Sequence, residues 1–166
     1  TAGMVTYDRT DIHHGSDKEL SAFRRRKIGF VFQQFHLLPV LTARENILMP
    51  LLLDKVRPDE GHLMQIAGFL GLQDRLSHLP HELSGGQQQR VAIARALIAD
   101  PEVIFADEPT GNLDSKSGGE VMEMLCEIQK KLDKTLIVIT HDKQLAGMAQ
   151  RRFTIVDGKL REEAES

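Results

Sequence analysis

Eight consecutive residues, Leu83-Ser84-Gly85-Gly86-Gln87-Gln88-Gln89-Arg90, carry the densest chemistry in the chain. Ser84 is a good helix N-cap, and the two glycines behind it leave backbone N–H groups uncovered at the positive end of a helix dipole. Such a start is an anion site suited to phosphate. Ser-Gly-Gly alone reads first as an ordinary capped helix; the full string is far more specific. Further on, the apolar run Val103-Ile104-Phe105-Ala106 ends in Asp107-Glu108. Paired acids in that position place both carboxylates at the C-terminal edge of a parallel sheet, where such folds bind ligands. On its own, an Asp-Glu pair after a strand is more often a solvated turn. Gln33 and His141 also stand at the ends of apolar runs. Taken singly, Gln33 reads as a surface residue and His141 as structural.

Strands and helices in alternation are needed to position these groups. Ile28–Phe32, Val103–Ala106 and Leu136–Ile139 are continuous apolar runs, the pattern of a parallel sheet covered by helices. Helical spacing relates Val121, Leu125, Ile128 and Leu132, and puts Leu63, Ile66, Ala67 and Leu70 on one face of a helix from about Asp59. A further helix begins near Ser84 and turns Val91, Ala94 and Ile98 inward. Asp157-Gly158, between Phe153–Val156 and Lys159–Arg161, predicts a hairpin. The expected class is α/β, with a helical insertion between about Phe35 and Pro80.

At 166 residues the chain is long enough for one domain with its own core. Its 41% hydrophobic and 27% charged residues are those of a soluble globular protein, and a net charge of -3 does not ask for nucleic acid. No apolar run approaches the ~18 residues that span a bilayer. Ile47–Leu53 is too short and contains Pro50. With no apolar signal segment at the N-terminus, a cytosolic chain is expected, any membrane role coming through a partner. Cys126, the single cysteine, fits a reducing compartment and reads as a small apolar residue. His13, His14, His36 and the other histidines lack metal-ligand spacing. The basic run Arg24–Lys27 reads as a solvated face.

In order and wording the motifs resemble ATP-binding-cassette (ABC) ATPases, the nucleotide-binding subunits of ABC transporters. Leu83–Arg90 is similar to their signature sequence, and Val103–Thr110 to the Walker B strand with its catalytic carboxylate. Gly111-Asn112-Leu113-Asp114 resembles the D-loop, which crosses the dimer interface in this family. Gln33 looks like the Q-loop glutamine, and His141 like the switch histidine that meets the γ-phosphate. The resemblance implies a P-loop NTPase-like (RecA-like) parallel sheet, with a helical subdomain over about residues 35–90 that includes the signature. It implies catalytic roles for Glu108, as general base or water-orienting group, and for His141 and Gln33. Ser84, Gly85, Gly86, Gln87 and Asp114 would contact nucleotide, and Asp107, through water, and Gln33 would hold Mg²⁺. ATP and Mg²⁺ are the implied cofactors. The implied partners are a second cassette in a homodimer and a transmembrane permease, met where Phe35-His36-Leu37-Leu38-Pro39 leads into the insertion. The location implied is cytoplasmic, peripheral on the inner face of the cell membrane.

One family motif is not in the sequence. A phosphate loop reads Gly-x-x-x-x-Gly-Lys-[Ser/Thr]. The only Gly-Lys pair, Gly158-Lys159, is followed by Leu160 and has Phe153 where the first glycine belongs. Thr1-Ala2-Gly3-Met4-Val5 resembles the segment just after the P-loop helix, so an N-terminally truncated cassette, inactive alone, is expected. Phe32–Pro39 and Ala106–Asp114 are similar to the lipoprotein-releasing, macrolide-export and antimicrobial-peptide-resistance group. Two other readings stand beside this one. A soluble ABC ATPase of repair would separate Gln33 from Ser84 by long coiled coils, and one of translation would carry two cassettes. The other is a non-catalytic interaction fragment.

Overall fold

The structure, a computed structural model, describes residues 4–8, 10–11 and 15–163. His13, His14 and Thr1–Gly3 lie outside the described residues. After a short antiparallel pair, β1 (Thr6–Tyr7) and β2 (Thr10–Asp11), comes helix α1 (Asp17–Lys27). Strands β3 (Ile28–Phe32), β4 (Val103–Asp107) and β5 (Thr135–Ile139) then form a parallel sheet in the order β3-β4-β5. Helices α2 (Ala43–Leu53), α3 (Glu60–Phe69) and α4 (Gly85–Leu97) lie between β3 and β4, and α5 (Ser115–Leu132) joins β4 to β5. A short helix α6 (Lys143–Ala146) precedes the antiparallel hairpin β6 (Phe153–Val156) and β7 (Lys159–Glu162). The two residues of its turn, Asp157 and Gly158, have φ of 49° and 73°, both in the left-handed region favoured by two-residue hairpin turns.

Three helices start with the same device. Ser16 with Glu19, Thr42 with Glu45 and Ser84 with Gln87 form capping boxes ahead of α1, α2 and α4. Each satisfies two N–H groups that a helix start otherwise leaves unpaired. The core gathers around α4, whose Val91, Ala92, Ile93, Ala94 and Leu97 are buried. Gly29 in β3 lets α4 approach closely, for a Cβ there would stand 2.7 Å from the carbonyl oxygen of Ala96. Leu63, Ile66, Ala67 and Leu70 are all buried, as their spacing predicts. In α5, Val121, Leu125 and Ile128 are buried but Leu132 is half exposed. Leu132 is the last residue of the helix, directly before left-handed Asp133, and the chain leaves the core there.

The basic run differs from a plain solvated face. Arg25 and Arg26 both bond Asp54, at 2.7 and 2.6 Å, and Lys27 pairs with Glu102. Hydrogen bonds from Arg26 and Arg25 hold the Asp54 carboxyl below the usual carboxylate range. The run thereby ties α1 to the end of α2.

Candidate active site

Register builds the site. Phe32, Asp107 and Ile139 are neighbours at the ends of β3, β4 and β5, so Gln33, Glu108 and Thr140-His141 follow them onto one rim of the sheet. That is the rim at which parallel α/β sheets bind ligands.

Glu108 leaves β4 with φ 43°, a conformation costing a non-glycine residue roughly 1 kcal/mol or more. Two backbone bonds hold it. Its N–H donates to Ile139 O at 2.8 Å, and its O accepts from Gly111 N at 3.0 Å. The carboxylate meets the end of β5, accepting from Thr140 Oγ1 at 3.1 Å and His141 N at 2.8 Å, with His141 Nδ1 at 2.6 Å. Burial pushes the Glu108 carboxyl up, but the hydrogen bonds from His141 and Thr140 outweigh it and leave the group below its ordinary range. The same hydrogen bond, with the carboxylate charge, raises His141 above the ordinary imidazole value. The His141 side chain is 88% exposed. Once protonated, its ring has Nε2–H left to donate to an anion.

Asp107 stands exposed at the end of β4. Gln33, beyond β3, turns to the segment after Glu108. Its Nε2 donates to Asn112 Oδ1 at 3.3 Å, and Asn112 Nδ2 donates to Gln33 O at 3.0 Å. Among the described residues, no group of three or more His, Cys, Asp or Glu is gathered to hold a metal.

The signature residues form a second cluster. Ser84 N-caps α4, its Oγ accepting from Gln87 N at 3.3 Å while Gln87 Oε1 accepts from Ser84 N at 2.9 Å. Gln87 is thus engaged in capping through its oxygen. Gly85 and Gly86 face Leu113 and Ser117, where added Cβ atoms would lie 3.4 and 3.5 Å from side-chain carbons. Asp114 N-caps α5, its two oxygens accepting from Lys116 N, Ser117 N and Ser117 Oγ. The structure therefore brings Ser84, Gly85 and Gly86 beside Leu113 and Ser117, and gathers Glu108 with His141 and Gln33 with Asn112.

The motif reading gives no task to the residues that hold these loops. Gln89 is fully buried, and its Nε2 donates to Pro109 O at 2.6 Å and to Phe32 O at 3.4 Å. Arg95 donates to the carbonyls of Phe35 and His36 at 2.8 and 2.6 Å. Asn46, also buried, bonds Leu38, Leu41 and Thr42 backbone. Their signal in the sequence is polarity at positions where the helix faces are otherwise apolar.

Comparison with known proteins agrees with this arrangement. The family model described as ABC transporter matches residues 1–111. The chain is 45% identical over 160 residues to the lipoprotein-releasing system ATP-binding protein LolD of Bacteroides fragilis, covering 95% of this chain and 74% of the relative. To the protein of the same name from Geobacter metallireducens it is 46% identical over 162 residues, covering 96% and 72%. The chain belongs to the ABC transporter family. Among solved structures, the ATP-binding cassette MJ0796, in a dimeric post-hydrolysis state bound to ADP and Pi, superposes with a TM-score of 0.85 at 43% identity. That match covers 98% of this chain and 73% of the cassette. A second dimeric structure of the same cassette matches equally. The sheet with its helices is the P-loop NTPase-like fold, the sequence is that of an ABC ATPase, and the relatives are transporter ATP-binding subunits, the lipoprotein-releasing ones among them. No described helix is long and apolar enough to cross a membrane.

Proposed function

We propose that this sequence provides the signature side and the hydrolytic rim of an ATP site that powers an ABC transporter. One observation carries the reading: Glu108, His141 and Gln33 stand on one sheet rim, with Glu108 in a left-handed turn that brings its carboxylate to His141. In this reading residues of about 35–90 form the helical subdomain and the remainder the RecA-like core.

A carboxylate held below its ordinary range is a poor proton acceptor. While bonded to His141 and Thr140, Glu108 orients water; to act as general base it must first release them. His141, its pKa raised by the hydrogen bond and charge of Glu108, offers Nε2–H to a γ-phosphate when protonated. Ser84, Gly85, Gly86 and the amide nitrogen of Gln87 supply donors at the start of α4, the end of a helix that attracts anions. Asp114 holds the first turn of α5 beside them.

Mg²⁺ fits the donor set. Asp107 offers a carboxylate, and Gln33, whose Nε2 faces Asn112, keeps its amide oxygen. A hard cation takes such oxygens together with phosphate and water rather than needing an all-protein cage. When bound, the ion neutralises phosphate charge.

Two partners follow. A second cassette faces the signature; in support, the structural relative is itself dimeric. The open groove of about 470 Å³ lined by Phe35, His36, Leu37, Pro39 and Pro80 would receive a permease segment, and the protein would then work at the inner face of the cell membrane.

The test is Glu108→Gln in a polypeptide carrying this sequence behind a phosphate-binding loop. Turnover should fall by about 10²–10⁴, with ATP affinity within twofold of the parent. A variant retaining more than half of the parent's kcat contradicts the role.

A further inference from the structure

Gln33 is held by a residue that the motif series leaves without a task. Asn112 and Gln33 meet through a two-point amide pairing: Gln33 Nε2 donates to Asn112 Oδ1 at 3.3 Å, and Asn112 Nδ2 donates to the backbone oxygen of Gln33 at 3.0 Å. Side chain and backbone of Gln33 are thereby fixed by one partner. The neighbouring Gly111 closes the contact. A Cβ there would lie 2.7 Å from Gln33 Nε2 and 2.9 Å from its amide carbon, so the bare backbone of Gly111 is what lets the glutamine lie on this turn. Underneath, buried Gln89 bonds the carbonyls of Phe32 and Pro109, the residues just before Gln33 and just after Glu108. The end of β3 and the turn leaving β4 are joined from both sides.

We infer that Asn112 is the positioning residue for Gln33. By taking up the amide nitrogen it fixes the plane of the amide whose oxygen is proposed above for Mg²⁺. It also makes the position of Gln33 depend on that of the turn between Glu108 and Asp114. Whatever presses on that turn, a second cassette above all, is transmitted to the glutamine through this amide pair. The inference rests on the assignment of Gln33 to Mg²⁺ given above.

Asn112 and Gln33 are both exposed, so removing the pair leaves no buried polar group unpaired and the variants should fold. In the chain itself, a nuclear Overhauser contact between the Gln33 side-chain amide protons and the Asn112 side chain is expected; its absence overturns the pairing. The functional arm uses a polypeptide carrying this sequence behind a phosphate-binding loop. Asn112→Leu keeps the bulk and removes both bonds. It should lower kcat by about tenfold, the size expected for losing one or two hydrogen bonds. The half-saturating Mg²⁺ concentration should rise several-fold, with KM for ATP within about twofold. Asn112→Asp retains an acceptor for Gln33 Nε2 but no donor for Gln33 O, and should fall between. In a Gln33→Ala background, where only the bond from Asn112 to the backbone oxygen is left to lose, Asn112→Leu should add little to the loss in kcat and should leave the Mg²⁺ dependence unchanged.

A merely structural asparagine would not move the metal dependence, and its effect would persist without Gln33. If Gln33→Ala is impaired while Asn112→Leu retains parental kcat and metal dependence, this inference fails alone. So it does if the two losses multiply in full. A silent Gln33→Ala would remove both the assignment of Gln33 and the inference built on it.

Discussion

The two faces of the three-stranded sheet could hardly be treated more differently. On one face, Val31, Ile104 and Ala106 are at most 1% exposed, packed beneath α4 and α5 with Gly29 admitting the close approach of α4. On the other, Phe30, Ile137 and Ile139 are 38%, 40% and 57% exposed. Phe30 stacks along the sheet, with ring centroids 5.8 Å from Phe32 and 5.7 Å from Phe105. The residue types are equally apolar on both faces. Parallel strands of this composition require cover on both sides, so the open face, not the covered one, is the unfinished part of the fold. The rim that carries Gln33, Glu108 and His141 lies at the C-terminal ends of these strands.

The largest effect should come from the covered face. Ile104→Ala removes a buried side chain from the centre of the sheet and should cost about 3 kcal/mol, read as a lower midpoint in urea unfolding. Self-association should come next. An exposed apolar patch of this kind drives contact between copies, so light scattering should show mass rising with concentration. The double change Phe30→Ser and Ile139→Ser should suppress it; a concentration-independent monomer in the unchanged chain would break the comparison. Ile137→Ala, on the open face, should cost less than about 1 kcal/mol. A loss there equal to that of Ile104→Ala would mean the faces are energetically alike.

Much of this was legible in the residues. The three strands, the buried face of α3 and the hairpin turn follow from continuous apolar runs, helical spacing and Asp-Gly. The start of α1 was equally written, in the Ser16-x-x-Glu19 capping box, yet Arg24–Lys27 drew attention as charge rather than as the last turn of a helix. The difference between the two sheet faces was not legible. A run such as Leu136–Ile139 is apolar at every position, so it cannot say which alternate residues are covered. Tertiary contacts decide that. At the site, the motifs located Glu108, His141 and Gln33. The bonds of Asn112, Gln89 and Arg95 join segments 20 to 79 residues apart in sequence, and a local motif does not show them.

The smallest effect expected is a pH dependence of the rim. The lowered Glu108 adds stability above the ordinary carboxyl value, lost as pH falls through its folded value. The raised His141 adds stability below the ordinary imidazole value, lost as pH rises through its folded value. The pair therefore contributes most between those ordinary values, 4.5 and 6.5. A shallow maximum in melting temperature in that window should disappear in His141→Ala. An identical profile in the variant would show that the two groups titrate independently.

The central claim is that this sequence presents the signature side of an ATP site. A two-fold arrangement of cassettes lets one subunit supply either half. The most direct measurement mixes the chain with a cassette that carries a phosphate loop and a glutamine in place of its catalytic glutamate, followed by size exclusion with ATP, with ADP and without nucleotide. A mixed complex that forms with ATP, weakens with ADP and is lost in Ser84→Arg is the predicted result. No ATP-dependent shift, or an undiminished one in Ser84→Arg, would contradict it.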